Sequence, residues 1–200
     1  MNQGKVGRCG VRLEFSHFGS NKRKLNDIAR TDLLDSGTLC FTVGGTHGVP
    51  HWARVLENGR RLAVVTGAKI GIVELFAVFH DSQRINEGFD DNHGRRGAQL
   101  AGELHGIQYE LDDGDMELVL RACELHTEGY LEGDITVQTC WDADRLDLGR
   151  VGITPREEKL CTDGARDPDL LGWAIDAANH LPSRLESDAP DENNWNRRKI

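Results

Sequence analysis

At 200 residues, the chain is long enough to bury one well-formed hydrophobic core and too short for two full domains. Its composition, with 38% hydrophobic and 28% charged residues, is that of an ordinary globular protein, and no apolar run approaches the roughly 20 residues that span a bilayer. The formal net charge of -9 and the pI near 5.3 argue against a nucleic-acid binder, because such proteins need a basic surface to displace phosphate counterions.

The cysteines and the first ten residues predict the cellular compartment of the protein. The chain has five cysteines, an odd number without a closely spaced pair, which indicates neither a disulfide framework nor a zinc ribbon. The opening MNQGKVGRCG lacks the apolar core of a secretory signal. We therefore expect reduced thiols, a cytoplasmic location and no membrane association. The sequence carries no signal for the oligomeric state.

The middle of the chain is predicted to be helical. We expect one domain over residues 26–182, with an N-terminal extension (1–25) and a polar C-terminal tail (183–200). KLNDIARTDLLDSG predicts a short helix that ends at a glycine. HWARVLENGRRLAVVTG predicts a helix with an interruption near Asn58 and Gly59. IGIVELFAVFHD fits either a buried strand or an apolar helix, and its length favours the helix.

Three further segments after this apolar helix have helical spacing, and a fourth closes the domain. DNHGRRGAQLAGELHG combines small and apolar residues, and DDGDMELVLRACELHTEG has an aspartate start signal and an apolar stripe. In GDITVQTCWDADRLDLGRVG, Asp134 is a candidate N-cap, and in DPDLLGWAIDAANHL, Pro168 suits the first turn. The pattern predicts an all-α bundle of six to eight helices.

The pair His80 and Asp81 ends the apolar segment. A buried, ionised carboxylate costs several kcal/mol unless it is paired or bound to a metal ion. Alternatively, the helix surfaces here, so that His80 packs and Asp81 meets water. Other imidazoles and carboxylates lie near the ends of predicted helices, where a bundle can direct them into one pocket: His51, His93, His126 and Asp144. Such ligands favour Mn, Fe, Co, Ni or Mg over sulfur-rich zinc coordination.

Three segments in this order, HWARV, FAVFHDSQR and DADRLDL, resemble the signature of the HD-domain metal-dependent phosphohydrolases. The resemblance covers roughly residues 45 to 155 and implies the HD-domain-like helical bundle. It also implies that His51, His80, Asp81 and Asp144 bind a first metal ion.

A second ion is implied by two later segments, HGRRGAQLA and ELHTEG, which resemble the family members that hold two metals. By that resemblance His93 and His126 bind the second divalent ion and Asp81 bridges the two. Alternatively, His126 is a surface histidine favoured by a helix C-terminus, and His93 lies in a solvated loop. Asp142, two residues before Asp144, should point elsewhere.

The resemblance implies a hydrolase that cleaves a phosphate ester, monoester or diester, of a small molecule such as a nucleotide, with water activated by the metal ions at Asp81. Arg84 stands where related two-metal members often carry lysine and is the favoured phosphate contact. His47 either contacts a metal ligand or donates a proton to the leaving oxygen; alternatively, it is a loop histidine without a role in the site. Further candidates for phosphate contact, or alternatively solvated charges, are Arg145 and Arg150. Two other functions stay open: a di-iron oxygenase of the same family, and a nucleotide-binding module without turnover.

Overall fold

A computed structural model describes residues 45–180, and this part of the chain consists of seven α-helices, two short 3-10 helices and connecting turns, with no β-strand. The α-helices are α1 (Val49–Thr66), α2 (Ile70–Phe79), α3 (His93–Leu104), α4 (Asp113–Leu125), α5 (Ile135–Arg145), α6 (Asp163–Arg166) and α7 (Pro168–His180). The 3-10 helices are Leu146–Val151 and Glu157–Lys159. The predicted all-α bundle is confirmed. The predicted helix in KLNDIARTDLLDSG, the extension 1–25 and the tail 183–200 lie outside the described residues.

Helix α2 is the centre of the bundle. Every residue from Ile72 to Phe79 is buried, and α1, α4 and α5 pack around it. Fully burying each of its large apolar side chains contributes about 1.5–3 kcal/mol. The one charged residue in this run, Glu74, forms an ion pair with Arg60 of α1 at 2.6 Å. Helix α2 thus forms a rigid support for the residues that follow it.

Helix α1 runs without a break from Val49 to Thr66, so the predicted interruption near Asn58 and Gly59 is wrong. Both residues serve packing inside the helix. The Asn58 side chain donates to the carbonyl oxygen of Ala143 in α5 at 3.0 Å. A Cβ on Gly59 would lie 2.3 Å from Cγ1 of Val73 in α2, so this glycine lets the two helices approach closely.

The helix start signals are confirmed. The Asp112 carboxylate accepts from the amide of Asp115 at 2.8 Å and begins α4, and the Asp134 carboxylate accepts from the amide of Thr136 at 2.7 Å and begins α5. Pro168 is the first residue of α7, as predicted. Within residues 45–180, no helix is long and apolar enough to cross a membrane.

Two glycines of α3 bring this helix against the ends of α2 and α4. A Cβ on Gly97 would lie 2.1 Å from the carbonyl oxygen of Phe79, and one on Gly94 would lie 2.4 Å from the carbonyl oxygen of Cys123. Any larger residue would push α3 outward. This close approach is what places the start of α3 beside the residues that follow α2 and α4.

Candidate metal centre

The predicted ligands converge at the ends of five helices. His51 lies in the first turn of α1, and Asp144 lies in the last turn of α5. His80 and Asp81 follow α2 directly, His93 opens α3, and His126 follows α4. All of these residues except Asp144 are buried, and Asp144 is partly exposed. The alternatives of a surface His126 and a solvated His93 are therefore wrong.

A first group of donor atoms surrounds one point. Nε2 of His51 lies 3.0 Å from Nε2 of His80 and 3.4 Å from Oδ1 of Asp144. Oδ2 of Asp81 lies 3.6 Å from the His51 nitrogen and 3.9 Å from the His80 nitrogen. The four atoms come from α1, from the end of α2 and from α5.

A second group lies on the other side of Asp81. Nε2 of His93 and Nε2 of His126 are 3.0 Å apart. Oδ1 of Asp81 lies 3.1 Å from the His93 nitrogen and 3.5 Å from the His126 nitrogen. Each carboxylate oxygen of Asp81 thus faces a different group.

The spacing between donors fits coordination of a metal ion. Ligand atoms about 2.1 Å from an ion are about 3.0 Å apart in octahedral geometry and about 3.4 Å apart in tetrahedral geometry. The closest pairs in both groups match this range. Within the described residues, buried groups of imidazoles and carboxylates are therefore arranged to hold metal ions.

The outer nitrogens of the four imidazoles orient the inner ones. Nδ1 of His80 donates to the carbonyl oxygen of Phe76 at 3.0 Å, and Nδ1 of His126 donates to that of Cys123 at 2.7 Å. The outer nitrogens of the other two rings also donate, that of His51 to the Asp147 carboxylate and that of His93 to the Asp90 carbonyl. Nε2 of each ring therefore faces one of the two groups, and in the neutral ring that a metal ion requires its lone pair is directed there.

Burial and mutual contact shift the pKa values of the cluster in opposite directions. Burial lowers the pKa of His80 to about 3, so this ring is neutral. Burial alone would raise the pKa of Asp81, but the surrounding imidazoles, His80 foremost, hold it well below its usual range. For His126, burial lowers the pKa, yet the hydrogen bond to Asp81 outweighs burial and leaves the value raised. A cation binds to a neutral imidazole beside an ionised carboxylate, so metal binding at His126 would displace the proton that Asp81 favours there.

His47 joins the first group. Its Nδ1 lies 2.8 Å from Oδ2 of Asp81, and together with His51 these donors lie close enough to share an ion. Arg150 donates to the carbonyl oxygens of Thr46 and Asp147, and its Nη2 is 3.4 Å from Nδ1 of His47. The His47 ring is therefore held at the centre rather than in a free loop.

Arg84 lies at the second group. Its Nη1 is 3.0 Å from Nε2 of His93 and 3.6 Å from Oδ1 of Asp81. The Nη2 of Arg84 donates to the carbonyl oxygen of Gly88 at 2.7 Å, and its Nε donates to that of Asn86. The predicted phosphate contact is thus buried beside the Asp81 carboxylate.

Arg145 and Asp142, which the sequence analysis also considered, do not face the cluster of candidate ligands. Arg145 donates to the carbonyl oxygens of Lys159 and Tyr130, so the structure does not bring this predicted substrate contact to the cluster. Asp142 is buried and accepts from Cys161 and Thr162, which anchors the segment before α6. Burial raises the pKa of Asp142 despite these hydrogen bonds.

Asp147 is a residue of the candidate site that the sequence analysis missed. It is fully buried, accepts from Nδ1 of His51 at 2.7 Å, and receives two hydrogen bonds from Arg54, at 2.6 and 3.1 Å. A carboxylate in this position orients the imidazole and strengthens it as a ligand. The signal was present in the spacing, because Asp147 follows Asp144 by three residues, one helical turn.

Comparisons of the chain with protein-family models, with curated proteins and with solved structures found no match. The resemblance to the HD-domain phosphohydrolases therefore stays a prediction. The donor geometry is the support for the metal centre.

Proposed function

We propose that the chain is a metal-dependent phosphohydrolase of the HD-domain type, which cleaves a phosphate ester of a small molecule, with nucleotides as the first class to test. One observation carries the proposal: the two oxygens of Asp81 face separate groups of imidazoles, at 3.1–3.5 Å on one side and 3.6–3.9 Å on the other. A carboxylate with this environment is suited to bridge two cations.

In this proposal the donor groups would divide between two ions. His51, His80, Asp81 and Asp144 would hold the first, and Asp81, His93 and His126 would hold the second. Divalent ions in these positions would supply a bound water of lowered pKa and positive charge that stabilises phosphoryl oxygens. The all-nitrogen-and-oxygen donor set suits Mn, Fe, Co, Ni or Mg.

The protein's own cations would act on the phosphate. Arg84 reaches the centre beside Oδ1 of Asp81, where a guanidinium can donate to phosphoryl oxygens as negative charge develops on them. His47 lies beside Oδ2 of the same residue, on the other side of the centre, and can donate a proton to the leaving oxygen. Arg150 positions His47 through the contacts with Thr46 and His47.

The proposal is tested by measuring phosphate release from mononucleotides, cyclic nucleotides and phosphodiesters, with Mn²⁺, Co²⁺, Ni²⁺, Mg²⁺ or Fe²⁺ added to the full chain. Turnover that requires an added ion and is lost in Asp81→Asn supports it. The same donor set also fits a di-iron oxygenase, so the screen is run with and without oxygen. Activity that needs iron and oxygen, with no phosphate released from any ester, would replace the hydrolase by the oxygenase. Nucleotide binding without any turnover would indicate a binding module.

A further inference from the structure

The two groups of donors are unequal. The first has two imidazoles, the Asp144 carboxylate and one oxygen of Asp81, with the His47 ring 2.8 Å from that oxygen. Among residues 45–180, the second has only two imidazoles and the other oxygen of Asp81. Asp81 is shared, so the first group holds one full carboxylate more than the second. Because carboxylates supply the negative charge that offsets a divalent ion, the first position is the stronger one.

Arg84 makes this difference larger. Its Nη1 lies within 3.0 Å of Nε2 of His93 and 3.6 Å of Oδ1 of Asp81, which are donor atoms that the second ion needs. The N–H groups of a guanidinium are donors only, so they engage the same lone pairs as a cation would. The Arg84 guanidinium and an ion held by these donor atoms would both be positively charged and would repel each other, and burial strengthens this repulsion.

The guanidinium is anchored in this position. Arg84 is buried, and its Nη2 donates to the carbonyl oxygen of Gly88 at 2.7 Å. The second ion can therefore bind only if the Arg84 side chain moves away or if the ion and the guanidinium share the same donor atoms. Either change lowers the affinity for the second ion.

The arginines near the first group are placed differently. Arg54 and Arg150 contact Asp147, which neutralises part of their charge. Asp147 lies behind His51, on its Nδ1 side, so Arg54 does not approach the donor nitrogen. Repulsion by these arginines is consequently weaker at the first position than repulsion by Arg84 at the second.

We propose that the centre fills in order, with a tight first ion at His51, His80, Asp81 and Asp144, and a weak, exchangeable second ion that competes with Arg84. The inference rests on the proposed metal centre. It makes the second ion the one that responds to metal concentration, and Arg84 the residue that sets the response.

The test is a calorimetric titration of Mn²⁺ into the full chain after chelation and dialysis. We expect two events of one ion each, the second weaker by about tenfold or more. A tenfold difference corresponds to about 1.4 kcal/mol, and a guanidinium about 4 Å from a divalent ion repels it by more than this at the effective dielectric of a protein site. Arg84→Gln should tighten the second event about tenfold and leave the first unchanged. Arg84→Lys keeps the charge and should leave the second event weak. The control is Arg95→Gln, which removes the same charge from α3 two residues after His93, where Arg95 is largely exposed.

The outcomes separate this inference from the proposed function. Two wild-type events of equal affinity overturn ordered filling but leave a two-metal centre in place. Equal tightening in Arg84→Gln and Arg84→Lys, or in Arg95→Gln, overturns the competition by the Arg84 charge. Absence of any Mn²⁺ binding to a folded wild-type chain overturns the metal centre itself, and with it the proposed function. The first event reports whether each variant has folded.

Discussion

Replacing Asp147 by asparagine would remove one buried negative charge and keep the shape of the side chain. Asp147 accepts from Nδ1 of His51 and receives two hydrogen bonds from Arg54. An asparagine offers one carbonyl oxygen where the aspartate offered two carboxylate oxygens. Asp147→Asn therefore leaves either the His51 ring or the Arg54 guanidinium without its partner.

The expected magnitudes follow from these contacts. Hydrogen bonds to a charged group contribute about 1.5–3 kcal/mol each, so losing part of this network should lower the free energy of unfolding by about 3 kcal/mol. For a chain of this length, this corresponds to a fall in Tm of about 6–12 °C. Loss of an outer partner of a metal-binding histidine typically weakens metal affinity about 10- to 100-fold. We expect that loss at the first ion and little change at the second.

The assay combines calorimetric Mn²⁺ titration with thermal unfolding of the metal-free protein. The matched control is Asp142→Asn, because Asp142 is equally buried and accepts three hydrogen bonds, all from Cys161 and Thr162 and none from a candidate ligand. Asp142→Asn should also lower Tm but leave both Mn²⁺ affinities unchanged. An unaltered first affinity in Asp147→Asn, or equal losses of affinity in the two variants, would refute the role assigned to Asp147.

Three further predictions follow from the same contacts. Asp81→Ala should abolish binding of both ions and any turnover while the helical circular dichroism signal survives; activity retained in this variant would end the hydrolase hypothesis. Burial alone would raise the pKa of Asp144, but the hydrogen bond from His51 and the nearby imidazoles hold it far below its usual value. Folded Asp144 therefore stays ionised while the unfolded chain takes up protons, so the metal-free wild type should lose Tm more steeply than Asp144→Asn as the pH falls below about 5, and parallel curves would contradict this. Gly97→Ala should destabilise the protein by about 2 kcal/mol, because its Cβ would meet the Phe79 carbonyl oxygen at 2.1 Å. Gly102→Ala lies at an exposed position of the same helix, where the added Cβ would meet only Cδ2 of Leu120, at 3.9 Å; it should be neutral or stabilising, and equal effects of the two alanines on Tm would show that the close approach is unimportant.

The helices could largely be predicted because each carries its own local signals. The apolar run of α2 and the capping aspartates Asp112 and Asp134 are visible in short windows of sequence, and all three are confirmed. The interruption near Asn58 and Gly59 was predicted wrongly because both residue types are common in helix breaks and turns. Their reason for being in α1 is contact with Ala143 and Val73, which belong to other helices and have no local signature.

The candidate site also has residues that the sequence predicted and residues that it did not. The ligands were predicted from ordered motifs, and the structure brings His51, His93 and His126 to the HD pair. Asp147 was missed since its spacing from Asp144 does not name its partners, His51 and Arg54, which lie more than 90 residues away in the chain. Arg84 was favoured by its position after the HD pair and does reach Asp81, whereas Arg145 is held by carbonyl oxygens 14 and 15 residues away, for which the sequence has no local signature.

The central claim is that Asp81 bridges two metal ions. Its most direct test is metal analysis by emission spectrometry on the full chain, purified without chelator and then dialysed to equilibrium against Mn²⁺. Two bound ions per chain are expected at saturation, at least one of them retained at low Mn²⁺, with both lost in Asp81→Asn. One bound ion per chain or fewer at saturating Mn²⁺, or two ions retained in Asp81→Asn, would contradict the account.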